Sequence, residues 1–271
     1  MLAEDLGSGD VTSEAIVPPK LGVRGEIVAR QAGTVAGTAE VTAVFNEAGV
    51  KVKVIRSDGA VVRPGDIIIR LEGQARRILA AERVALNLPM RMSGIATATR
   101  KLIGMAKRRN PKVAISATRK TAPLLTYFDK RAVVIAGGKP HRYRLSDHIL
   151  IKDNHLRLVG SVSEAVRRAR KVAGRTEIEV EVSTPKEVLD AARAGASIVM
   201  FDNMKPTEIK RAIKLLERED LRRKVRLEAS GRIDLSNVGD FAATGVDIIS
   251  SSYMTMRAPA LDMSLEIRRK D

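Results

Sequence analysis

From residue 110 onward, short apolar runs alternate with amphipathic ones at about twenty to twenty-five residues, the length of one βα unit. KVAIS (112–116), HILIKD (148–153), EIEVEVS (177–183), SIVMFDN (197–203), VRLEASG (225–231) and VDIISSS (246–252) read as strands. SVSEAVRRARKVA (161–173), PKEVLDAARAG (185–195), PTEIKRAIKLLERE (206–219) and LSNVGDFAATG (235–245) read as the helices between them. Strands joined through helices must run parallel, so this half of the chain is an α/β unit whose sheet is expected to close into a barrel. Polar residues end these strands repeatedly: Lys152 and Asp153, Glu181, Asp202 and Asn203, Ser230 and Gly231, then Ser250 to Ser252. In a barrel, the carboxyl ends of the strands share one rim, where loops build the active site. Ending one strand in a polar loop is unremarkable; charged Lys, Glu and Asp within or beside five apolar runs would be costly to bury unpaired.

The first half has a different rhythm. Residues 23–72 are strand-like, with VRGEIVAR (23–30), VKVKVIRSDG (50–59), a Pro64-Gly65-Asp66 turn and IIIRLEG (67–73). From Gln74 to about Arg109, Ile78, Leu79, Leu86, Met90 and Ile95 are spaced for the buried stripe of a helix, which Pro89 is expected to bend or split.

The candidate chemistry is cationic. Thr118-Arg119-Lys120-Thr121 ends the KVAIS strand, and GGKPHRYR (137–144) adds Lys139, His141 and Arg142. Adjacent like charges at a strand end are easiest to reconcile with an anion between them. The fixed fork of arginine suits a carboxylate or phosphate, and lysine adds a point charge. Glu181 and Asp202 are hard oxygen donors, suited to magnesium arriving with a phosphorylated substrate or to stabilising a sugar cation. Ser230-Gly231 and the serines at 250–252 could expose backbone N–H groups to a phosphate, or serve only as turns.

Other classes fare worse. Without cysteine there is no disulfide, thiolate or Cys-based metal site. His141, His148 and His155 recur every seven residues, a spacing that fits no metal motif and places them on different segments, so no zinc is expected. No GxGxxG or GxxxxGK[ST] sequence is present. The net charge of +16 attracts polyanions, yet four Phe, three Tyr and no Trp are too few for a base-stacking surface. Nucleic acid is therefore not the expected partner, and small anionic substrates or a thermally stressed habitat account for the charge as well. No window approaches the ~18–20 apolar residues of a membrane span, and the acidic MLAEDLGSGD start is unlike a signal peptide, so a cytoplasmic protein is expected.

Taken in order, EDLGSGDVTS (4–13), AERVALNLPMRMSGIAT (81–97), ATRKTAP (117–123), GGKPHRYRLSDHILIKDNH (137–155), EVEV (179–182), FDNMKP (201–206) and EASG (228–231) resemble the quinolinate phosphoribosyltransferases over nearly the whole chain. The resemblance implies an N-terminal α/β sandwich over 1–109, completed by 257–271, and an incomplete (β/α) barrel over 110–256 that carries the active site. It implies transfer from phosphoribosyl diphosphate to quinolinate with loss of CO2, giving nicotinate mononucleotide and diphosphate in NAD biosynthesis. Magnesium would be required, and no organic cofactor.

By the same resemblance, Arg119, His141 and Arg142, beside Thr118, would hold the acid's carboxylates. Lys120 and Lys152 would lie between acid and donor. Glu181 and Asp202 would face the ribose and its magnesium, and residues 230–232 (Ser230, Gly231, Arg232) with Ser251 and Ser252 would hold the 5-phosphate. Arg83 would reach into the neighbouring subunit of a homodimer with shared sites, which could stack into a hexamer. The chain departs from the family pattern at Arg232 and Ser252, where glycines are usual, and at Ala136 to Pro140. It also starts almost at EDLG, so the family's customary N-terminal helix is expected to be short or absent. These departures keep open a paralogue acting on another aromatic acid.

Overall fold

The computed structural model describes residues 1–269, and the chain divides into two compact units. The first comprises Met1–Arg100, Phe128–Ala136 and Ala258–Asp271, and the second Lys101–Tyr127 and Gly137–Arg257. Residues 270 and 271 of the expected C-terminal segment lie outside the described residues.

In the first unit, β1 (Gly22–Ala29), β2 (Gly33–Thr34), β3 (Lys51–Val54), β4 (Val61–Val62) and β5 (Ile67–Gln74) follow two short helices, Leu2–Leu6 and Val11–Ile16. β1 lies between β5 and the strand Met263–Arg269, both antiparallel to it, and β3 pairs on the far side of β5. The alternation in β1 sends Val23, Ile27 and Ala29 into a core shared with Phe45, Ile69, Leu71, Ile78 and Leu86. β3 is an edge strand largely exposed to solvent, where Lys51 and Lys53 discourage pairing with another chain.

Two details of this unit differ from the sequence reading. Thr38–Glu47 is a helix inside the strand-like stretch, because Thr38, Val41 and Phe45 put their buried groups on one face. Its amino end begins at Gly37 rather than at a capping side chain, and Asp58 Oδ1 instead accepts the N–H groups of Gly37 and Thr38 and the Thr38 hydroxyl, each at 2.9 Å. The second difference is Pro89, which does not split the long helix: Ala75–Lys107 is continuous. Gly94 on this helix has no room for a side chain, since a Cβ would meet the Pro259 carbonyl oxygen at 2.1 Å.

In the second unit, β6 (Ala114–Ser116), β7 (Ile149–Ile151), β8 (Ile178–Val182), β9 (Ile198–Asp202), β10 (Arg226–Ser230) and β11 (Ile248–Ser250) form one parallel sheet in the order β6-β11-β10-β9-β8-β7. Val180, Val199, Leu227 and Ile249 are wholly buried, as strands covered on both faces require. The expected closure does not occur: among the described residues no ladder joins β6 to β7, and beyond the named strands there is a single bridge, from Ser116 to Lys139. The architecture is therefore an incomplete barrel.

The covering helices start where their residues dictate. Ser161 caps Val162–Ala173 through the Glu164 N–H, and Thr184 with Glu187 forms a capping box for Pro185–Arg193. Short helices at Thr126–Ile135, Asp153–Val159 and Tyr253–Met256 were not legible in the sequence pattern.

Candidate active site

The carboxyl ends of the six parallel strands surround a cavity of about 350 Å³. Its wall includes Thr118, Arg119 and Lys120 from beyond β6, His141 and Arg142 from the segment before β7, and Lys152 at the end of β7. Glu181 from β8 and Asp202 from β9 face it too. Ser230, Gly231 and Arg232 follow from β10, and Ser251 and Ser252 from β11. All of these came from one-dimensional reasoning, and the fold gathers them at one rim. Arg83 instead belongs to the first unit, where its exposed guanidinium lies 3.7 Å from Glu82.

Local bonds fix the wall. Lys120 N–H donates to Thr118 Oγ1 at 3.0 Å, while the Lys120 carbonyl accepts the Thr255 hydroxyl at 2.7 Å. Lys152 Nζ donates to Glu181 Oε1 at 2.6 Å. Asn203 Nδ2 donates to Asp202 Oδ1 at 3.0 Å. Ser251 Oγ donates to the Ile233 carbonyl and accepts from Tyr253 N–H, so that this hydroxyl holds the wall together.

The backbone is held in an unusual region around the same rim. His141, Asn203 and Arg232 have φ of 53°, 53° and 50° without being glycine, and Gly231 has φ of 105°. Left-handed conformations are unfavourable for most side chains, and their clustering at one cavity is characteristic of a functional site.

Electrostatics point the same way. Burial pushes the Arg142 guanidinium below its ordinary pKa, and the charge of Arg119 pushes it further, against the opposing pull of Glu179, Glu181 and Asp147. Two guanidinium groups close enough to destabilise each other call for an anion with two acidic groups.

Beneath the cavity lies a polar cluster that the sequence reading missed. Glu179, fully buried in β8, has Oε2 at 2.9 Å from His148 Nε2 and 3.4 Å from His141 Nε2. Glu228 in β10, 1% exposed, has Oε1 3.8 Å from the same His141 nitrogen. The two imidazole centroids are 5.2 Å apart. Spacing along the chain predicts different segments for His141 and His148; both lie on the one segment between Ile135 and β7, which folds so that their rings meet over Glu179. His155 is elsewhere, its Nδ1 accepting the Lys152 backbone N–H at 2.9 Å. Burial would raise the pKa of Glu179, yet the hydrogen bonds and charge of His141 and His148 hold it well below the carboxylate range. Burial and the charge of Glu179 push the carboxyl of Glu228 up to about 7. The signal available in the sequence was the Glu-Val-Glu alternation at 179–181, which on a strand points both carboxylates to the same face in successive layers, Glu181 at the strand end and Glu179 one layer below it. Leu150, Met200, Ile233 and Arg257 also line the cavity without having been anticipated.

A rim of paired cations and carboxylates on an incomplete α/β barrel fits a transferase of anionic substrates, and comparison with known proteins narrows that class. Residues 10–93 match the family description "Quinolinate phosphoribosyl transferase, N-terminal domain", and residues 95–266 match its C-terminal domain. A protein of Archaeoglobus fulgidus named "Probable nicotinate-nucleotide pyrophosphorylase (carboxylating)" is 45% identical over 259 residues, covering 96% of this chain and 98% of that protein. The nicotinate-nucleotide pyrophosphorylase (carboxylating) of Rattus norvegicus is 37% identical over 240 residues, covering 88% of this chain and 80% of that protein. The crystal structure of NadC from Streptococcus pyogenes superposes with a TM-score of 0.93 at 35% identity, covering 100% of this chain and 94% of that one. The fold and site thus define a phosphoribosyltransferase. The chain belongs to the quinolinate phosphoribosyltransferase family, over both of its domains.

Proposed function

We infer that this chain transfers the phosphoribosyl group of phosphoribosyl diphosphate to quinolinate and releases CO2, forming nicotinate mononucleotide and diphosphate in NAD biosynthesis. The observation that carries this reading is one cavity in which Arg119, Arg142 and His141 share a wall with Lys120, Lys152, Glu181 and Asp202. The cation set suits two neighbouring carboxylates, and the carboxylate pair suits a ribosyl cation.

Arg119, His141 and Arg142 hold the acid, and Thr118 shapes the turn that presents Arg119. Lys120 and Lys152 lie where acid and donor meet. As the C–O bond to diphosphate breaks, positive charge develops on the ribose anomeric carbon, and the pyridine nitrogen attacks it. Glu181 and Asp202 stabilise that cation, while Lys120 and Lys152 favour the departing negative charge. Holding the nitrogen and the anomeric carbon in line supplies a further part of the rate. Once the nitrogen is quaternary, the ring can accept the electron pair left when the adjacent carboxylate departs as CO2, and a proton then takes its place.

The 5-phosphate falls to Ser230, Gly231, Arg232, Ser251 and Ser252. Gly231 brings backbone to the cavity wall where a Cβ would strike Asn203, and Arg232 adds a cation that a glycine would lack. Glu181 and Asp202 offer hard oxygen donors on neighbouring strands, without sulfur or imidazole, a donor set that fits magnesium. Magnesium bound there with the donor would neutralise diphosphate charge. Arg83, exposed in the first unit, suits a contribution to a second subunit's site in a homodimer, with hexamers built from dimers. Among the described residues, no helix is long and apolar enough to cross a membrane.

Purified protein incubated with quinolinate, phosphoribosyl diphosphate and magnesium should yield nicotinate mononucleotide with stoichiometric CO2. Absence of product at high enzyme concentration would refute the assignment. Nicotinate in place of quinolinate should give no turnover, because one carboxylate cannot engage both guanidinium groups; turnover with nicotinate would favour a paralogue of different acid specificity.

A further inference from the structure

We propose that Glu179 and His148, neither of which lines the cavity, are positioning residues for acid recognition: the buried Glu179 carboxylate orients His141 directly and Arg142 through His148. This rests on the transferase reading, in which His141 and Arg142 grip the acid.

His141 and Arg142 sit on the segment between the helix ending at Ile135 and β7, which contains no helix or strand of its own. A segment of this kind is mobile unless its polar groups are tied down. Its beginning is fastened by the Ser116–Lys139 bridge, and its far turn by Asp147, whose Oδ2 accepts the backbone N–H groups of Tyr143 and Arg144 at 2.8 and 3.1 Å. Between these ties, the recognition pair depends on the cluster beneath it.

His148, the residue before β7, uses both of its ends. Its Nε2–H donates to Glu179 Oε2 at 2.9 Å, and its main-chain carbonyl accepts Arg142 Nη1–H at 3.1 Å. Glu179 Oε2 also lies 3.4 Å from His141 Nε2. One carboxylate oxygen on a central strand thus governs both members of the His141–Arg142 pair. His141 has φ of 53°, a strained backbone that needs such constraint to persist.

Stability alone does not explain this construction. Burying a carboxylate with imidazoles is often no better for folding than an apolar cluster of the same volume. Its distinctive product is geometry, since charge-assisted hydrogen bonds fix direction as well as distance. The same three groups lie within 4.8 Å of one another and could in principle ligate a divalent cation. The 2.9 Å spacing of His148 and Glu179 is that of a hydrogen bond, which favours the positioning role.

Steady-state kinetics with the full chain decide the matter, using Glu179→Gln, His148→Phe and His148→Gln. Glu179→Gln and His148→Phe should raise the KM for quinolinate roughly tenfold or more, the scale of a lost charge-assisted hydrogen bond, and leave the KM for phosphoribosyl diphosphate within about twofold. His148→Gln keeps a side-chain N–H donor and should recover most of the quinolinate affinity. A purely structural role would move both KM values together, and that result, or no change in either, would overturn the proposal. So would zinc bound stoichiometrically by the wild type and lost in Glu179→Gln, which would make the cluster a metal site. If Glu179→Gln fails to fold, the contrast between the two His148 variants decides alone. Wild-type protein without turnover or quinolinate binding would instead refute the transferase reading and this proposal with it, an outcome distinct from active variants with unchanged KM.

Discussion

Replacing Glu228 by Gln should make the protein less sensitive to rising pH. The Glu228 carboxyl is 1% exposed in β10 and lies close to Glu179, so burial and then that neighbouring charge raise it from the usual 4.5 to about 7. The native state therefore binds this proton more tightly than the unfolded chain does. Its contribution to stability is complete below pH 4.5, declines as pH rises, and is lost above about pH 7. Across that span, at about 1.4 kcal/mol per pH unit, the loss is on the order of 3 kcal/mol. Glutamine copies the shape of the protonated carboxyl and cannot ionise. The two proteins should differ by less than about 1 kcal/mol at pH 5, and Glu228→Gln should be the more stable by up to about 3 kcal/mol at pH 8. Urea unfolding from pH 5 to 8 at one fixed protein concentration measures this, since contributions from titrating groups outside the Glu179–His141–Glu228 cluster cancel in the difference and any subunit linkage is held constant. Parallel curves would refute the reasoning, because Glu228 would then ionise alike in both states. A Gln variant that weakens as pH rises would reverse its sign.

Gly231→Ala should destabilise the chain by about 1–3 kcal/mol and raise the KM for phosphoribosyl diphosphate more than that for quinolinate, as read from melting and steady-state kinetics. Its φ is 105°, and a Cβ would stand 2.9 Å from the Asn203 backbone nitrogen, which cannot yield as a flexible side-chain end would. Lys152→Met removes the cation 2.6 Å from Glu181 Oε1 and should lower kcat by roughly 10²-fold with little loss of stability, because the lysine is partly exposed. Single-turnover measurements would show whether the chemical step is the one slowed.

The strand ends were legible in the sequence because a parallel α/β sheet imposes a strong period. Lys152, Glu181 and Asp202 each interrupt or close an apolar run, and the fold converts that repetition into a common rim. Gly231 and Arg232 were legible as part of a turn, although not the left-handed backbone that they share with Asn203 and His141. The buried layer was hidden for a physical reason. Glu179 and Glu228 look like the polar half of an alternating strand, and only the folded sheet, with His141 and His148 of the segment before β7 packed on Glu179, makes their side inward. His148 was hidden because its partner is thirty-one residues away, with two helices between them. The helix at Thr38–Glu47 was missed since its β-branched Thr and Val residues favour strands locally, and burial of Val41 and Phe45 overrides that preference.

The charge excess has a structural sense at the cavity. Arg119, Lys120, Arg142, Lys152, Arg232 and Arg257 line it against Glu181 and Asp202, six cations to two carboxylates. On the covering helices and outer loops, by contrast, several cations are matched locally: Arg167 and Arg168 share Glu164, Arg193 meets Glu219, and Arg222 meets Asp247. Exposed pairs of that kind contribute little to folding and leave little local field. The surplus at the rim acts differently, because low-dielectric walls focus its field outward and favour the entry of anions. A phosphorylated donor and a dicarboxylic acid together supply the negative charge that such a wall lacks. The buried Glu179, with Glu181 and Asp147, offsets part of the cost that burial and the neighbouring charge of Arg119 impose on the Arg142 guanidinium, so the cationic wall is stabilised before either substrate arrives.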